Sequence, residues 1–512
     1  MVATVKTCSL SGIEAKTVTV ETDLLNGIPS MDIVGLPDAA VKESKERIKA
    51  AIKNCEYLFP SKKIIVNLAP ADTKKEGACF DLPIAVAILF SCGLITCDNL
   101  DGYLILGELA LDGALRRVCG VLPMAILARE CGIQHMIVPA ENAAEAAVVK
   151  GVNIYAASHL TQVVNHLNGE ALLSPQKIDI DAYFNGGNEQ YPDFCDVKGQ
   201  AAAKRALEVA AAGAHNILMI GAPGSGKTML AKRLPSILPD LSFSEALEIT
   251  KIYSIAGKLP ADTPLVRTRP FRNPHHTISS QAITGGGTVP KPGEISLAHR
   301  GVLFLDEFPE FKKDTIDAMR QPLEDGKFTV GRVAGTYTFP SQAMLVASMN
   351  PCKCGYFGDA THTCTCTKTQ IQRYLSKISG PMLDRFDIQI EVPAVDYDSL
   401  SSTQTSECSA DIRSRVNQAR QIQMERFSGR EIYANAQLSE SDLDKYCALD
   451  KEGKALLKQV FERLGLSARA HSRIRKVART IADLAGSERI ESIHIAEAIS
   501  YRSLDKKYWR ER

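Results

Sequence analysis

The sequence predicts a multidomain α/β protein with an α+β N-terminal domain, a phosphate-binding α/β domain and an all-α C-terminal domain. Three observations support this prediction. The chain has 512 residues, which is too many for a single hydrophobic core. A glycine-rich loop stands between an apolar run and a helix-like run near the middle of the chain. Beyond about residue 400, apolar residues recur with the period of a helix.

Composition and charge are those of an ordinary globular protein. The formal net charge is +1, so no global basic field indicates nucleic acid, and any polyanion must be bound locally. The longest apolar run, residues 82–94, contains Pro83 and is too short to cross a bilayer. With 14 cysteines and no visible secretion signal, we expect a cytoplasmic protein with reduced thiols and no membrane partner.

Residues 1–170 alternate short β-rich runs with alanine-rich helical runs, which indicates an α+β domain. Alternating residues predict strands at 17–22 and 63–68, and a capped amphipathic pattern predicts a helix over 38–52. Residues 103–113 are typical of a hairpin that turns at Asp112-Gly113. The pattern weakens over 171–192, where glycine, asparagine and proline are loop signals, so we predict a linker there.

The α/β domain, predicted over 193–400, is organised around one glycine-rich loop. Its residues are Gly221-Ala222-Pro223-Gly224-Ser225-Gly226-Lys227-Thr228, which match G-x-x-x-x-G-K-[ST] at every fixed position. The glycines let backbone N–H groups point at an anion, and the following helix adds partial positive charge. The loop therefore predicts an ATP site in which Lys227 reaches the β- and γ-phosphates and Thr228 ligates Mg²⁺.

A second apolar strand, residues 301–305, ends in two acids. Asp306 is predicted to hold Mg²⁺, usually through water. Glu307 is predicted to orient and polarise the water that attacks the phosphate. A further strand over 343–348 leads to Asn350, a polar amide before a proline, which a turn or helix cap would also explain.

Four cysteines follow in two tight pairs. Cys352 and Cys354 are separated by nine residues from Cys364 and Cys366, with His362 as a spare ligand. Thiolates at this spacing predict a structural Zn²⁺ site. Reduced free thiols and redox-active disulfides are the alternatives.

Residues 401–512 are predicted to be helical, with helices over 409–423, 450–464, 468–485 and 492–500 followed by a basic tail. The third of these helices carries five cations and no acid among them. They are Arg469, Arg473, Arg475, Lys476 and Arg479. For most of them a solvated basic face is the alternative to a ligand contact.

The N-terminal segments resemble the Lon-protease-like (ChlI-type) domain that begins the Mg-chelatase-like YifB/ComM family. The matching segments are Gly35-Leu36-Pro37, Asn67-Leu68-Ala69-Pro70-Ala71-Asp72, Lys75-Glu76-Gly77, Phe80-Asp81-Leu82-Pro83 and Gly107-Glu108-Leu109. In this resemblance the serine nucleophile falls on Cys79, and residues 120–124 contain no lysine base. We therefore expect a non-catalytic scaffold or docking module, with Cys79 as a buried hydrophobe or, alternatively, a nucleophile.

The α/β domain and the C-terminal helices resemble the AAA+ core and α-helical lid of the same family. The resemblance implies that Asn350 is the sensor-1 amide. It also implies that Arg385, in the segment 379–387, is an arginine finger presented to a neighbour's γ-phosphate, with a local ion cluster around Asp384 and Asp387 as the alternative. Arg469 is implied to be the nucleotide-contacting arginine of sensor 2, or else Arg473. A finger supplied in trans implies a homo-oligomer, which in this family is a hexamer.

Two further segments resemble the insertions that distinguish this group, one over residues 269–299 and one as a hairpin over 326–340. The resemblance implies that Lys291, Lys327 and Arg332 line a pore and meet a DNA backbone, with His275 and His276 as further candidates. The implied function is a hexameric ATP-driven helicase or translocase on single-stranded or branched DNA. It would promote branch migration in recombination and natural transformation.

Two other functions remain open at this stage. One is a protein-remodelling or Mg-chelatase-like ATPase without a DNA substrate. The other is an ATP-dependent protease, which the missing lysine base opposes.

Overall fold

The computed structural model describes residues 2–72, 74–186, 191–287, 289–332, 335–359, 362–394, 406–464 and 467–510. Within these ranges, no helix combines the length and apolar character that a bilayer crossing requires.

The N-terminal domain is built on a seven-stranded mixed sheet of order β3-β4-β2-β1-β5-β8-β9 and a separate small hairpin, β6-β7. The strands are β1 (Ala3–Ser11), β2 (Glu14–Leu25), β3 (Ser30–Val34), β4 (Lys63–Ala69), β5 (Tyr103–Ile105), β6 (Glu108–Leu109), β7 (Leu115–Arg116), β8 (His135–Pro139) and β9 (Asn153–Ala157). The first two pair antiparallel, with Val5 opposite Val20, and both valines are buried. From β1 through β5 and β8 to β9 the pairing is parallel.

The predicted hairpin over 103–113 is shifted in the structure. Tyr103–Ile105 pairs with β1 and β8 instead of folding back on itself. The antiparallel pair is Glu108–Leu109 with Leu115–Arg116, and the turn does lie at Asp112-Gly113. A short strand with parallel partners on both sides gains more ladder hydrogen bonds than an isolated two-stranded hairpin would offer.

The helices of the first 186 residues cover this sheet and continue into the predicted linker. They are α1 (Ala39–Asn54), α2 (Asp81–Ser91), α3 (Val121–Glu130), α4 (Ala143–Ala146), α5 (Leu160–Leu167) and α6 (Ile180–Asn185). The first is capped by Asp38, which accepts the Val41 N–H at 2.8 Å. The sixth is too short to show helical periodicity in sequence, yet Ile180 is buried against the N-terminal core.

The second sheet has five parallel strands in the order β11-β14-β17-β10-β18. Together with two small hairpins, the strands of this region are β10 (Ile217–Ile220), β11 (Phe271–Arg272), β12 (Gly285–Gly286), β13 (Lys291–Pro292), β14 (Val302–Leu305), β15 (Lys327–Arg332), β16 (Gly335–Pro340), β17 (Met344–Met349) and β18 (Ile388–Glu391). The central strands are continuous apolar runs and fully buried, as expected for a parallel sheet covered on both faces.

Short helices surround this sheet, and a helical region follows it. The helices are α7 (Ala201–Gly213), α8 (Lys227–Arg233), α9 (Phe243–Ile255), α10 (Ser280–Thr284), α11 (Glu294–Leu297), α12 (Lys313–Ala318), α13 (Arg320–Asp325), α14 (Lys368–Leu375), α15 (Gly380–Leu383), α16 (Ser409–Arg426), α17 (Glu440–Tyr446), α18 (Lys451–Leu464), α19 (Ala468–Leu484) and α20 (Ser492–Ser500), followed by a π-helical turn (Asp505–Arg510). The C-terminal helices share one hydrophobic core with a face of the parallel sheet.

The N-terminal domain docks on α9. Ala246 and Ile249 of that helix lie in the N-terminal hydrophobic core. The buried carboxylate of Glu145 accepts a hydrogen bond from Ser254, and the Gly120 N–H donates to the Ser254 carbonyl at 3.1 Å. The two α/β units are therefore packed directly against each other.

Candidate functional site

Three parallel strands deliver their following residues to one edge of the second sheet. β10 leads into Gly221, β14 into Asp306 and β17 into Asn350. β17 lies between β10 and β14, and the Gly221 N–H donates to the Met349 carbonyl at 3.2 Å. Residues that are up to 129 positions apart in sequence therefore meet at the carboxyl ends of the strands, where parallel sheets bind ligands.

Glycines are required in the predicted phosphate loop for two different reasons. A Cβ on Gly221 would lie 2.3 Å from the Val392 carbonyl oxygen, so only glycine fits there. Gly224 and Gly226 have φ of +77° and +89°, which side chains disfavour. The loop then passes directly into α8, whose first residues are Lys227 and Thr228.

Lys227 is buried beneath this loop. Its ammonium donates to the carbonyls of Gly221 and Ala222, both at 2.8 Å, and to Asn350 Oδ1 at 3.2 Å. Burial lowers the pKa of Lys227 to about 8, against the opposing effect of Asp306 and Glu307. The lysine is therefore mostly charged at neutral pH and is poised where an anion would be stabilised.

Thr228 and Asp306, both predicted to hold Mg²⁺, lie next to each other in the structure. Thr228 Oγ1 donates to Asp306 Oδ2 at 2.7 Å. Ser348, on β17, donates to the other carboxylate oxygen of Asp306. The hydroxyl and carboxylate oxygens are hard donors of the kind that Mg²⁺ prefers, so the residues present fit that ion. Sequence reasoning missed Ser348 because nothing in a buried strand marks which residue faces an acid on its neighbour.

Glu307 extends from the same edge into solvent. Its backbone is left-handed, with φ +51°, and its side chain is 60% exposed. The Nδ1 atom of His276 lies 3.7 Å from Glu307 Oε2, and the rings of His275 and His276 are tilted against each other with centroids 4.1 Å apart. His276, predicted only as a further candidate for DNA contact, thus lies beside the predicted water-activating acid.

Gln200 is a second residue that sequence reasoning missed. It precedes α7, adopts φ +55° and donates from Nε2 to the Ser225 carbonyl at 2.6 Å. Its Oε1 atom is buried and has no hydrogen-bond partner among the described residues. The only sequence signal was its place at the start of the α/β domain.

Arg385 lies at the edge of the sheet formed by the amino ends of the strands, whereas the phosphate loop lies at the edge formed by their carboxyl ends. Its carbonyl accepts a hydrogen bond from Asn216 Nδ2 at 2.9 Å, and Asn216 precedes β10 whereas Gly221 follows it. At about 3.3 Å per residue, the strand separates the two by roughly 16 Å. The Arg385 guanidinium donates to Glu324 and forms no ion pair with Asp384 or Asp387 among the described residues.

Arg469 borders the same cavity as Arg385, and the described residues that line it include none of residues 221–228. Arg469 is more than half exposed, with Nη1 3.7 Å from Asp384 Oδ2. Arg473 instead pairs with buried Asp387 at 2.8 Å. Burial alone would raise the pKa of Asp387, but Arg473, His215 and Lys476 together lower it. Of the two predicted alternatives, Arg469 is the more exposed, whereas Arg473 is held by a buried carboxylate.

These arginines border a cavity of about 600 Å³ between the parallel sheet and the C-terminal helices. Arg385, Arg469 and Arg473 all face it, together with Lys476 and Glu324. The lining mixes cations with almost as many acids. Glu324 attracts the positive charge of Arg385, whereas Arg473 and Arg469 repel it. An anion supplied from outside this chain would relieve that repulsion.

The two predicted insertions form hairpins that adjoin each other. Gly285–Gly286 pairs with Lys291–Pro292, and Lys327–Arg332 pairs with Gly335–Pro340. The Arg332 guanidinium comes within 4.0 Å of a Cβ placed on Gly286. Lys291, Lys327 and Arg332 are exposed, and within the described ranges none of them is in an ion pair with a carboxylate.

The four cysteines of the paired motif converge. The Sγ atoms of Cys352, Cys354, Cys364 and Cys366 lie within 4.8 Å of one another, and none is in a disulfide. His362, the predicted spare ligand, instead stacks on Tyr356 with ring centroids 4.7 Å apart.

Cys79 lies in the core of the N-terminal domain. It is only 8% exposed, and its Sγ is 3.9 Å from the Cys8 carbonyl oxygen. Burial raises the pKa of the Cys79 thiol to about 12, so it is protonated at neutral pH. These features agree with the alternative of a small buried hydrophobe.

Comparisons with known proteins agree with this architecture. The family model described as "Magnesium chelatase, subunit ChlI" matches residues 193–400. "Subunit ChlI of Mg-chelatase" matches residues 20–142, and "Magnesium chelatase, subunit ChlI C-terminal" matches residues 406–502.

Full-length relatives are also similar. Competence protein ComM of Haemophilus influenzae is 45% identical over 495 residues, 96% of each chain. The uncharacterized protein YifB of Escherichia coli is 44% identical over 504 residues, 98% of this chain and 97% of its own. The magnesium-chelatase 38 kDa subunit of Rhodobacter capsulatus is 24% identical over 176 residues, 31% of this chain and 50% of its own. The chain therefore belongs to the Mg-chelatase-like ComM/YifB family.

Proposed function

We propose that this protein is an ATP-hydrolysing AAA+ motor that acts on DNA as a homo-oligomer. The observation that carries the ATPase assignment is the convergence of Lys227, Thr228, Asp306, Glu307 and Asn350 at one sheet edge. These residues come from three strand ends and supply the charges and oxygen donors that phosphoryl transfer needs. The domain boundaries proposed are 1–170, 193–400 and 401–512.

The chemistry of each residue follows from its position. Lys227 supplies positive charge beneath the loop, where the β- and γ-phosphates of ATP would lie. Thr228 and Asp306 would hold Mg²⁺, which supplies charge neutralisation at the phosphate oxygens. Glu307 would accept the proton of the attacking water, and Asn350 would orient the γ-phosphate through the same amide that now accepts from Lys227.

Arg385 and Arg469 complete the proposed reaction from a neighbouring chain. Both lie at the sheet edge away from their own phosphate loop and border one cavity, where Arg473 and Arg469 repel Arg385. A neighbour's triphosphate would relieve that repulsion and receive transition-state stabilisation in return. The proposed active unit is therefore an oligomer, and the family resemblance favours a hexamer.

The two adjoining hairpins are the proposed DNA contact. Residues 285–293 and 327–340 contain cations but no acid, so a phosphate backbone would meet uncompensated positive charge. Motion of these hairpins with the ATP cycle would move single-stranded or branched DNA. Since one relative is named a competence protein, branch migration during recombination and natural transformation is the proposed role.

We assign the N-terminal domain a Lon-protease-like fold without peptidase activity. A nucleophile must be accessible and deprotonated, whereas the Cys79 thiol is buried and protonated. Its docking on α9 suits a scaffold that positions the motor domain.

Lys227→Ala is expected to abolish ATP turnover and to weaken nucleotide binding by about 30-fold or more, since removing one buried charge partner costs roughly 2–5 kcal/mol. The measurement is equilibrium binding of a fluorescent ATP analogue with parallel phosphate release. Lys232→Ala, on the same helix and away from the loop carbonyls, is the matched control. Wild-type affinity and turnover in Lys227→Ala would contradict the ATP-site assignment.

Lys327→Ala combined with Arg332→Ala is expected to weaken single-stranded DNA binding and to reduce its salt dependence. Each lost phosphate contact removes roughly 0.7 from the slope of log K against log salt, so the pair removes about 1.4. Fluorescence anisotropy over a salt series measures this slope. Lys49→Ala with Lys53→Ala, two exposed lysines on α1, is the control.

An unchanged slope in the hairpin variant would refute the proposed DNA surface. Stimulation of wild-type ATPase by single-stranded and branched DNA tests the wider assignment. If low-salt buffer shows neither stimulation nor binding, the DNA proposal fails and a protein-remodelling ATPase becomes the better assignment.

A further inference from the structure

The cysteine cluster has the dimensions of a tetrathiolate metal site. With Zn–S bonds of about 2.3 Å, sulfurs at the corners of a tetrahedron are roughly 3.8 Å apart. In the structure, Cys352 Sγ lies 3.3 Å from Cys354 Sγ and 3.7 Å from Cys364 Sγ. Cys354 Sγ and Cys364 Sγ are 3.5 Å apart. These separations are too long for disulfides and close to those of four thiolates around one ion.

The first pair of cysteines lies in a hydrogen-bonded turn, in which the Gly355 N–H donates to the Cys352 carbonyl at 3.1 Å. Gly355, with φ +91°, provides the tight turn after the first pair of cysteines.

The cluster is joined to the phosphate site at two points. Cys352 is fully buried in the core on one face of the parallel sheet and stands two residues after Asn350. A Cβ built on Gly355 would lie 2.4 Å from Pro223 Cδ, so the cysteine loop packs directly on the phosphate loop. The loop therefore touches both a residue that cradles the phosphates and the strand end that carries Asn350.

We propose that Cys352, Cys354, Cys364 and Cys366 bind one Zn²⁺ as four thiolates, and that the metal-held loop braces Pro223 and Asn350 for nucleotide binding. The second half rests on the proposed ATP site. Binding releases the thiol protons and involves no redox change. The metal is structural, because all four positions are filled by protein sulfur and none is left open for substrate.

The first test is metal content. Protein purified with reductant and without added metal is expected to carry about one Zn²⁺ per chain by elemental analysis. Cys354→Ser with Cys366→Ser is expected to carry almost none, whereas Cys119→Ser with Cys131→Ser, two exposed cysteines outside the cluster, retains it. Absence of zinc from the wild-type protein, with no uptake on titration with Zn²⁺, would overturn the metal assignment.

A spectroscopic test does not depend on a substituted protein folding. Wild-type protein stripped with chelator and titrated with Co²⁺ is expected to show the visible ligand-field bands of tetrahedral cobalt with thiolate charge-transfer bands. Bands of an octahedral oxygen site would contradict the four-sulfur ligand set.

The bracing is tested by nucleotide affinity in the same samples. Stripped wild-type protein is expected to bind a fluorescent ATP analogue about tenfold more weakly, and re-added Zn²⁺ restores the affinity. Zinc binding without any change in affinity would refute the bracing alone. If zinc-loaded protein binds no nucleotide, the ATP-site proposal fails while the metal assignment stands.

Discussion

Arg385→Ala is expected to slow ATP hydrolysis by about 10³–10⁵-fold, the range found for arginine fingers, while nucleotide affinity stays near the wild-type value. The reason is geometric. The guanidinium lies at the sheet edge opposite its own phosphate loop, so in the proposed oligomer it would act on a neighbour's ATP. Phosphate release measures turnover, and binding of a fluorescent ATP analogue measures affinity. Arg373→Ala, an exposed arginine on α14, is the matched control.

Mixing two inactive variants sharpens this test. In a random assembly of Arg385→Ala with Lys227→Ala chains, about one quarter of the interfaces pair an intact phosphate loop with an intact arginine. Activity should therefore reappear on mixing. If each variant stays inactive after mixing and exchange is verified, Arg385 does not act in trans. Normal turnover in the single variant would remove the finger assignment altogether.

Glu307→Gln is expected to reduce turnover by about 10²–10⁴-fold, the usual contribution of a general base, and to leave ATP bound. The amide keeps the size of the carboxylate but cannot take the proton of the attacking water. Single-turnover hydrolysis together with filter retention of labelled ATP measures both effects. Glu310→Gln, an exposed acid three residues on that pairs with Lys377, is the control.

A Glu307→Gln protein that hydrolyses ATP within a few-fold of wild type would contradict the role of Glu307. Retained binding with lost turnover would separate this acid from Lys227, whose replacement is expected to weaken binding as well as to abolish turnover. Lys227→Ala and Glu307→Gln therefore distinguish a residue that binds the phosphates from one that activates the attacking water.

The sequence predicts well those parts of the site whose residues are neighbours along the chain. The residues from Gly221 to Thr228 form one continuous pattern. Asp306 and Asn350 come just after apolar runs that predict strands. Their meeting at one edge follows from parallel strand direction, which the continuous apolar runs already indicate. The helix over 492–500 coincides with the predicted range because its periodicity is regular.

The residues that sequence could not identify act across the fold. Ser348 and Gln200 donate to groups on other segments, and His276 reaches Glu307 across 31 positions. No local spacing encodes such contacts, because they depend on strand order and on the path of an insertion. The position of Arg385 relative to the phosphate loop likewise cannot be predicted until the pairing of β10 with β18 is known.

Arg385 and the phosphate loop lie at opposite ends of the strands of one sheet, which has a consequence for the symmetry of the proposed oligomer. A twofold dimer could complete both sites only if the arginine and the loop of each chain lay in one interface patch, whereas these groups lie at opposite ends of the strands. Only head-to-tail contacts supply an arginine to every ATP, and only a closed ring leaves no chain at an end without a donor. In the proposed ring each subunit would serve one neighbour and depend on the other, so the order of the subunits would have a polarity that the monomer sets.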